Sequence, residues 1–217
     1  MNVSTPRQPA TPVAPTTVRS RVRRSPTAEQ VLAAAEQLFA QGGSSALSVR
    51  RIAESLGCSR QIVYSRFRDK SDLIRALHAE GFRRLGAHFA SVSTPLGSSD
   101  RVLALAGAYR SAALDSPALY GLMFGQPIAE FTPDSAARGV AMAAFRPVIE
   151  ATEAWMLGLD PALDRQVTAA AAIDLWSISH GAVSIEIAGI SDAGTVQRLE
   201  RLITASMAAQ ERSLSGA

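Results

Sequence analysis

The sequence predicts an all-α protein, and three observations carry that prediction. Apolar residues recur at helical spacing from Thr27 onward, no stretch alternates as a strand would, and proline, glycine and serine clusters separate the periodic segments. Hydrophobic residues fill 47% of the 217 positions and charged residues only 19%, a balance that fits a packed globular chain. That length accommodates one or two compact units.

Residues 1–25 carry Pro6, Pro9, Pro12 and Pro15 and no helical period, which predicts a flexible tail. The tail closes on Arg19, Arg21, Arg23 and Arg24 with no acid among them. Such an arm suits DNA phosphates or a minor groove; the plain alternative is a solubilising tail. Thr27 stands where it caps the first helix. Val31, Ala35, Leu38 and Phe39 form that helix's buried face, and Gly42 and Gly43 end it.

The most informative passage is 48–70, SVRRIAESLGCSRQIVYSRFRDK. Val49, Ile52, Ala53 and Leu56 recur at i, i+3, i+4 and i+7, so an amphipathic helix is expected, with Ser48 as its N-cap. Gly57 follows the last apolar position, where a left-handed residue commonly ends a helix. Ser59 is placed to cap a second helix anchored by Ile62, Val63 and Phe67. Two short helices across a glycine turn make a helix-turn-helix, whose second member can enter a major groove. Arg60, Gln61, Ser65 and Arg66 would then face outward. Arginine pairs bidentately with guanine and glutamine with adenine, while Tyr64 and Lys70 suit phosphate oxygens.

From Thr27 to about Phe82 the chain resembles the DNA-binding domain of TetR-type transcriptional regulators. The resemblance rests on Val31, Ala34, Leu38 and Phe39, on Gly42 and Gly43, and on Ser48-Val49-Arg50-Arg51-Ile52-Ala53. It continues through Gly57-Cys58-Ser59, Ile62-Val63-Tyr64, Phe67 and Lys70-Ser71-Asp72-Leu73. It implies phosphate contacts from Ser48, Tyr64 and Lys70 and base contacts from the outward face of the second helix. The expected DNA-binding set is therefore Ser48, Arg50, Arg60, Gln61, Tyr64, Ser65, Arg66 and Lys70. Arg51 stands where the family often has an acid, and Arg68 where a proline is common.

Ser71 to about Ser91 reads as one longer helix with Leu73, Ile74, Leu77, Phe82, Leu85 and Phe89 as its apolar set. It links the two halves, and the resemblance implies that it tilts when a ligand binds. The turn-rich 93–99 then marks a boundary, giving a helix-turn-helix domain at 26–70, a connecting helix at 71–92 and a helical domain at 99–213. Within the last, helices are expected at about 99–115, 117–125, 134–157, 162–189 and 195–213. Pro117, Gln126-Pro127, Pro133, 158–161 and 191–194 separate them, and Pro147 is a potential kink inside the third.

Aromatic and sulfur-bearing side chains concentrate in this half amid many alanines, the composition of an apolar small-molecule cavity as readily as of a plain core. The candidate lining is Tyr109, Tyr120, Met123, Phe124, Phe145, Trp155, Trp176 and His180. Phe131, Met142 and Met156 share the same concentration. Tyr109-Arg110, Ser116 through Phe124 and Trp176…His180-Gly181 resemble the TetR subgroup named for a Trp-His-Gly signature. Glu186 and Asp174 share a helix with His180 and suit a cationic ligand, a subunit interface or solvent equally. The stretches 162–189 and 195–213 are Ala-rich and semi-apolar, as a four-helix dimer bundle requires. The resemblance implies the same homodimer.

Charge is distributed unevenly, with 14 basic and 6 acidic residues through Ser91 against 8 basic and 13 acidic beyond it. The anionic partner is thus expected at the N-terminal end. A single cysteine, Cys58, rules out an intrachain disulfide framework and a Cys-rich zinc site, and reads as a small turn residue. No run of about 18 apolar residues and no hydrophobic signal core occur, so the cytoplasm is expected and no membrane span. His78, His88 and His180 belong to no HExxH, nucleophile elbow or Cys–His pair, and no Gly-rich phosphate loop is present. The expectation is a non-enzymatic, cofactor-free and metal-free repressor that binds double-stranded operator DNA and releases it on binding a small, largely apolar effector. An activator indifferent to small molecules, and an all-α enzyme, are the competing readings.

Overall fold

The computed structural model describes residues 25–125, 128–190 and 194–215. The arginines of 19–24, the break expected at 126–127 and residues 191–193 of the break expected at 191–194 lie outside them. Among the described residues the fold is all helical: α1 (Ala28–Ala46), α2 (Val49–Leu56), α3 (Arg60–Tyr64), α4 (Lys70–Ala90), α5 (Ser99–Asp115), α6 (Pro117–Phe124), α7 (Ser135–Leu159), α8 (Arg165–Ile187) and α9 (Thr195–Ser215).

Local chemistry sets the helix ends. Thr27 and Gln30 form a reciprocal capping box at the start of α1. Gly42 and Gly43 leave helical geometry as expected, but a further turn runs to Ala46 before Leu47 closes it. Ser48 caps α2, and Gly57 ends it at φ 58°, ψ 38°, the left-handed conformation that glycine adopts at least cost. Asp69, Ser98, Asp134 and Asp164 cap α4, α5, α7 and α8, each accepting a backbone N–H. Pro117 opens α6 and Pro147 lies inside α7 without ending it.

Two cores result, and α4, α6 and α7 contribute to both. In the head, Val31, Ala35, Leu38, Phe39, Ile52, Ala53 and Val63 pack with Leu73, Ile74 and Leu77 of α4. Leu119 and Leu122 of α6, Phe131 and Ala137 complete that core. In the body, Phe82, Leu85 and Phe89 of the same α4 meet Leu105, Tyr109, Trp155, Met156, Leu175, Val183 and Ile203. Burying each large apolar side chain contributes about 1.5–3 kcal/mol, so both cores hold α4 firmly. Gly81 packs directly against α6, since a Cβ there would stand 2.5 Å from Met123 Sδ.

Candidate nucleic-acid interface and effector cavity

The head presents a short exposed polar surface. Arg60, Gln61, Tyr64, Ser65 and Arg66 are all exposed, while Val63 is buried and Ile62 and Phe67 are half-buried beneath them. The second helix is shorter than its apolar anchors imply. It ends at Tyr64, so Ser65 and Arg66 lie in the following turn. Ser65 Oγ donates to the Ile62 carbonyl at 2.7 Å, and Arg66 Nε donates to the Pro26 carbonyl at 3.3 Å. Ser59 holds the N-cap position, yet its side chain makes no capping bond, contrary to expectation. Ser48 caps through an accepted bond from Arg51 N–H at 3.2 Å, which leaves its own hydroxyl proton available.

The surrounding cations differ in how free they are. Arg50 meets Glu54 at 3.7 Å with both side chains well exposed, a pairing of little energetic weight. Arg51 reaches the Ala46 carbonyl and Arg68 reaches Asp72, so both departures from the family pattern are absorbed by local bonds. Lys70 is engaged across the molecule, its Nζ 2.7 Å from Glu130 Oε1. Nothing in the sequence pattern singles out Glu130. Cys58 is half-buried in the turn.

The body encloses a polar knot within an aromatic shell. His180 Nδ1 lies 2.9 Å from the Tyr109 hydroxyl and 2.8 Å from that of Tyr120. Tyr120 also bonds Ser184 Oγ at 2.9 Å and lies 3.4 Å from the Tyr109 hydroxyl. Burial lowers the His180 pKa and raises that of the Tyr109 phenol, so both stay neutral near pH 7. His180 and Ser184 are one helical turn apart on α8, which aligns them toward Tyr120.

Two small voids, each about 20 Å³, flank Tyr109. Tyr120, Met123, Phe124 and Gly81 line the first, with Arg84 and Ser116 at its edge. Trp176, Ser179, Leu105 and Ile203 line the second. The Trp176 indole N–H is buried and meets no acceptor in hydrogen-bonding geometry among the described residues. Phe145 packs between Tyr109, Phe124 and Trp176 without lining either void. Trp155 is a core residue that lines neither, and Met142 is 61% exposed. Glu186 forms a two-point ion pair with Arg110, leaving Asp174 exposed on the same helix.

Arg84 of α4 connects the first void to the head. Its guanidinium contacts Glu36 of α1 at 2.6 and 2.8 Å, Glu80 at 2.8 Å and Ser116 at 2.9 Å. Hydrogen bonds from Arg83 and Arg84 hold the Glu80 carboxyl below its ordinary pKa, while the bond to Glu36 raises that of Arg84. Helical periodicity identifies apolar faces and misses such a cross-helix tie. Among the described residues no His, Cys, Asp or Glu cluster is arranged to hold a metal ion, and no helix is long and apolar enough to cross a membrane.

A helix-turn-helix head packed against a helical body, with α4 running through both cores, defines the class as a helix-turn-helix transcriptional regulator. Residues 31–77 match the model for bacterial regulatory proteins of the tetR family, and 102–209 match that for a tetracyclin repressor-like C-terminal domain. The chain belongs to the tetR family, a class of non-enzymatic regulators. It is 28% identical over 166 residues to the uncharacterized HTH-type transcriptional regulator Rv0681 of Mycobacterium tuberculosis, covering 76% of this chain and 72% of that one. Among solved structures, a Rhodococcus sp. RHA1 protein of unknown function superposes with TM-score 0.71 at 24% identity, over 89% of this chain and 98% of the other. A point variant of TetR from Acinetobacter baumannii AYE, in complex with minocycline, gives TM-score 0.55 at 19% identity, over 84% and 94%.

Proposed function

We propose that the protein is a homodimeric repressor that occupies a pseudo-palindromic operator and leaves it when a small, uncharged, largely apolar molecule enters the body. The observation that carries this reading is the double role of α4. Its first half builds the head core, its second half builds the body core, and Gly81, Arg84 and Leu85 border the first void. The void is lined by α4, α5 and α6, and two of these three, α4 and α6, are built into the head, so a ligand that widens it against α5 bears on both. It shifts DNA affinity by its differential affinity for the two arrangements.

In this reading Arg60 and Gln61 address base edges, Ser48, Arg50, Tyr64 and Lys70 address phosphates, and Ser65 and Arg66 border the surface. Tyr109, Tyr120, Met123, Phe124, Trp176 and His180 receive the effector, with Phe145 behind them. Of the segment resembling the Trp-His-Gly signature, Trp176 lines the second void, while His180 lines neither and meets the first through its bond to Tyr120. An uncharged effector is favoured because Arg84, the charged residue along the voids, already has carboxylate partners. The body fold is shared with a TetR protein that binds minocycline, which supports small-molecule response.

Dimerisation is proposed through α8 and α9, which leave Ile173, Ile185, Val196 and Leu202 exposed. Two heads about 34–36 Å apart then read successive turns of the groove in cytoplasmic DNA. The test is retardation of duplexes from the promoter region of its own gene, followed by a metabolite screen for release. Retardation should weaken in Gln61→Ala, and failure to retard any promoter-proximal duplex would sink the proposal.

A further inference from the structure

We infer that Glu130 is an internal stand-in for a DNA phosphate, so that Lys70 holds either this carboxylate or the operator backbone but never both. The inference rests on the proposed role of Lys70 as a phosphate contact. Glu130 lies in a tight turn closed by the Phe131 N–H donating to the Ile128 carbonyl at 2.9 Å. Phe131 anchors that turn in the head core, its ring 4.9 Å from that of His78. The Glu130 carboxylate takes Lys70 Nζ at 2.7 Å, and its backbone carbonyl accepts the Ser71 hydroxyl at 2.8 Å.

Lys70 and Ser71 open α4, a 21-residue helix. An ammonium and a hydroxyl side by side suit a phosphate, and here both are taken by one residue, the ammonium by the Glu130 carboxylate and the hydroxyl by its backbone carbonyl, while Asp69 caps the helix itself. Asp134 adds a second acid nearby, 3.9 Å from Arg75 Nε. A phosphate arriving at Lys70 would meet the Glu130 charge at close range, so the carboxylate must leave first. Both side chains are about one third exposed (33% and 38%), which makes the pair weak and exchangeable. The turn follows α6, whose Tyr120, Met123 and Phe124 line the first void. The docked turn is therefore a state in which Lys70 is withheld from DNA until the carboxylate is displaced.

Exchange of one anion for another leaves a signature in the salt dependence of binding. Fluorescence anisotropy of the full chain on a mixed-sequence duplex, titrated across salt, compares wild type, Glu130→Gln and Glu130→Ala, each with and without Lys70→Gln. Neutralising Glu130 should steepen the slope of log K against log salt by about 0.9 per head and raise low-salt affinity roughly threefold. Both gains should vanish with Lys70→Gln. Gains that persist without Lys70 are a general charge effect and overturn the inference. Equal slopes for wild type and Glu130→Gln, with Lys70→Gln lowering both, overturn it while the Lys70 contact stands. If Lys70→Gln changes nothing even beside Glu130→Gln, the Lys70 contact itself fails.

Discussion

Replacing Arg84 tests whether head and body are tied by a specific ionic joint or by apolar packing alone. In Arg84→Met the aliphatic stem is largely kept, while bonds of 2.6 and 2.8 Å to Glu36, 2.8 Å to Glu80 and 2.9 Å to Ser116 are lost. Glu36 and Glu80 are 21% and 16% exposed, so their charges are left partly desolvated, although Arg83 still pairs with Glu80. Exposed pairs are worth about 0.2–1 kcal/mol and breaking a buried one costs about 3–5. Arg84 itself is 37% exposed, which places the loss between these limits at about 2 kcal/mol after screening. For a chain of this size that lowers Tm by about 4–8 °C, readable by circular dichroism. Glu36→Gln should recover part of the loss when combined with Arg84→Met, because it removes the stranded charge. A Tm change under about 1 °C, or strict additivity in the double variant, would refute the ionic-joint reasoning.

Other expected outcomes follow from single groups. Ser48→Ala should cost about 1 kcal/mol through loss of the α2 cap, whereas Ser48→Asp keeps the cap and stability but loses DNA binding through phosphate repulsion; parallel melts and gel shifts separate the two roles. Tyr120→Phe removes the hydroxyl shared by His180 and Ser184 and should destabilise by about 1–3 kcal/mol in urea unfolding. Burial depresses the pKa values of His78 and His180, so the unfolded chain takes up their protons first. Stability should be full above their ordinary value of 6.5 and fall as the pH drops below it, ahead of losses at Asp72 and Glu80, whose lowered pKa values matter only below about 4.5. His78→Leu, which removes a buried imidazole with an unpartnered Nδ1, should flatten the upper part of that profile.

How far the sequence reaches depends on the range of the interaction. The helix-turn-helix was legible because its signals are local: the Ser48 cap, the left-handed Gly57 and the Ile52–Ala53 stripe lie within one or two turns of each other. The length of α3 was not, because Phe67 anchors the chain after the helix has ended and periodicity alone does not mark that difference. In the body, composition pointed to Tyr109, Tyr120, Phe124, Trp176 and His180, which do share one interior, since bulky aromatics among alanines tend to pack together. The same concentration included Trp155, a buried core residue that, like His180, lines neither void, and Met142, which faces solvent.

By itself the sequence determined the helical class, the caps and turns of the head and its outward-facing Arg60, Gln61 and Tyr64, all of which follow from dihedral preference and spacing along one segment. Only the tertiary structure decided which distant groups meet. It placed Glu36 and Ser116 on Arg84, His180 and Ser184 on Tyr120, and Glu130 on Lys70. Those contacts join residues 32 to 64 positions apart, and their geometry is set by how whole helices pack rather than by any rule of local spacing.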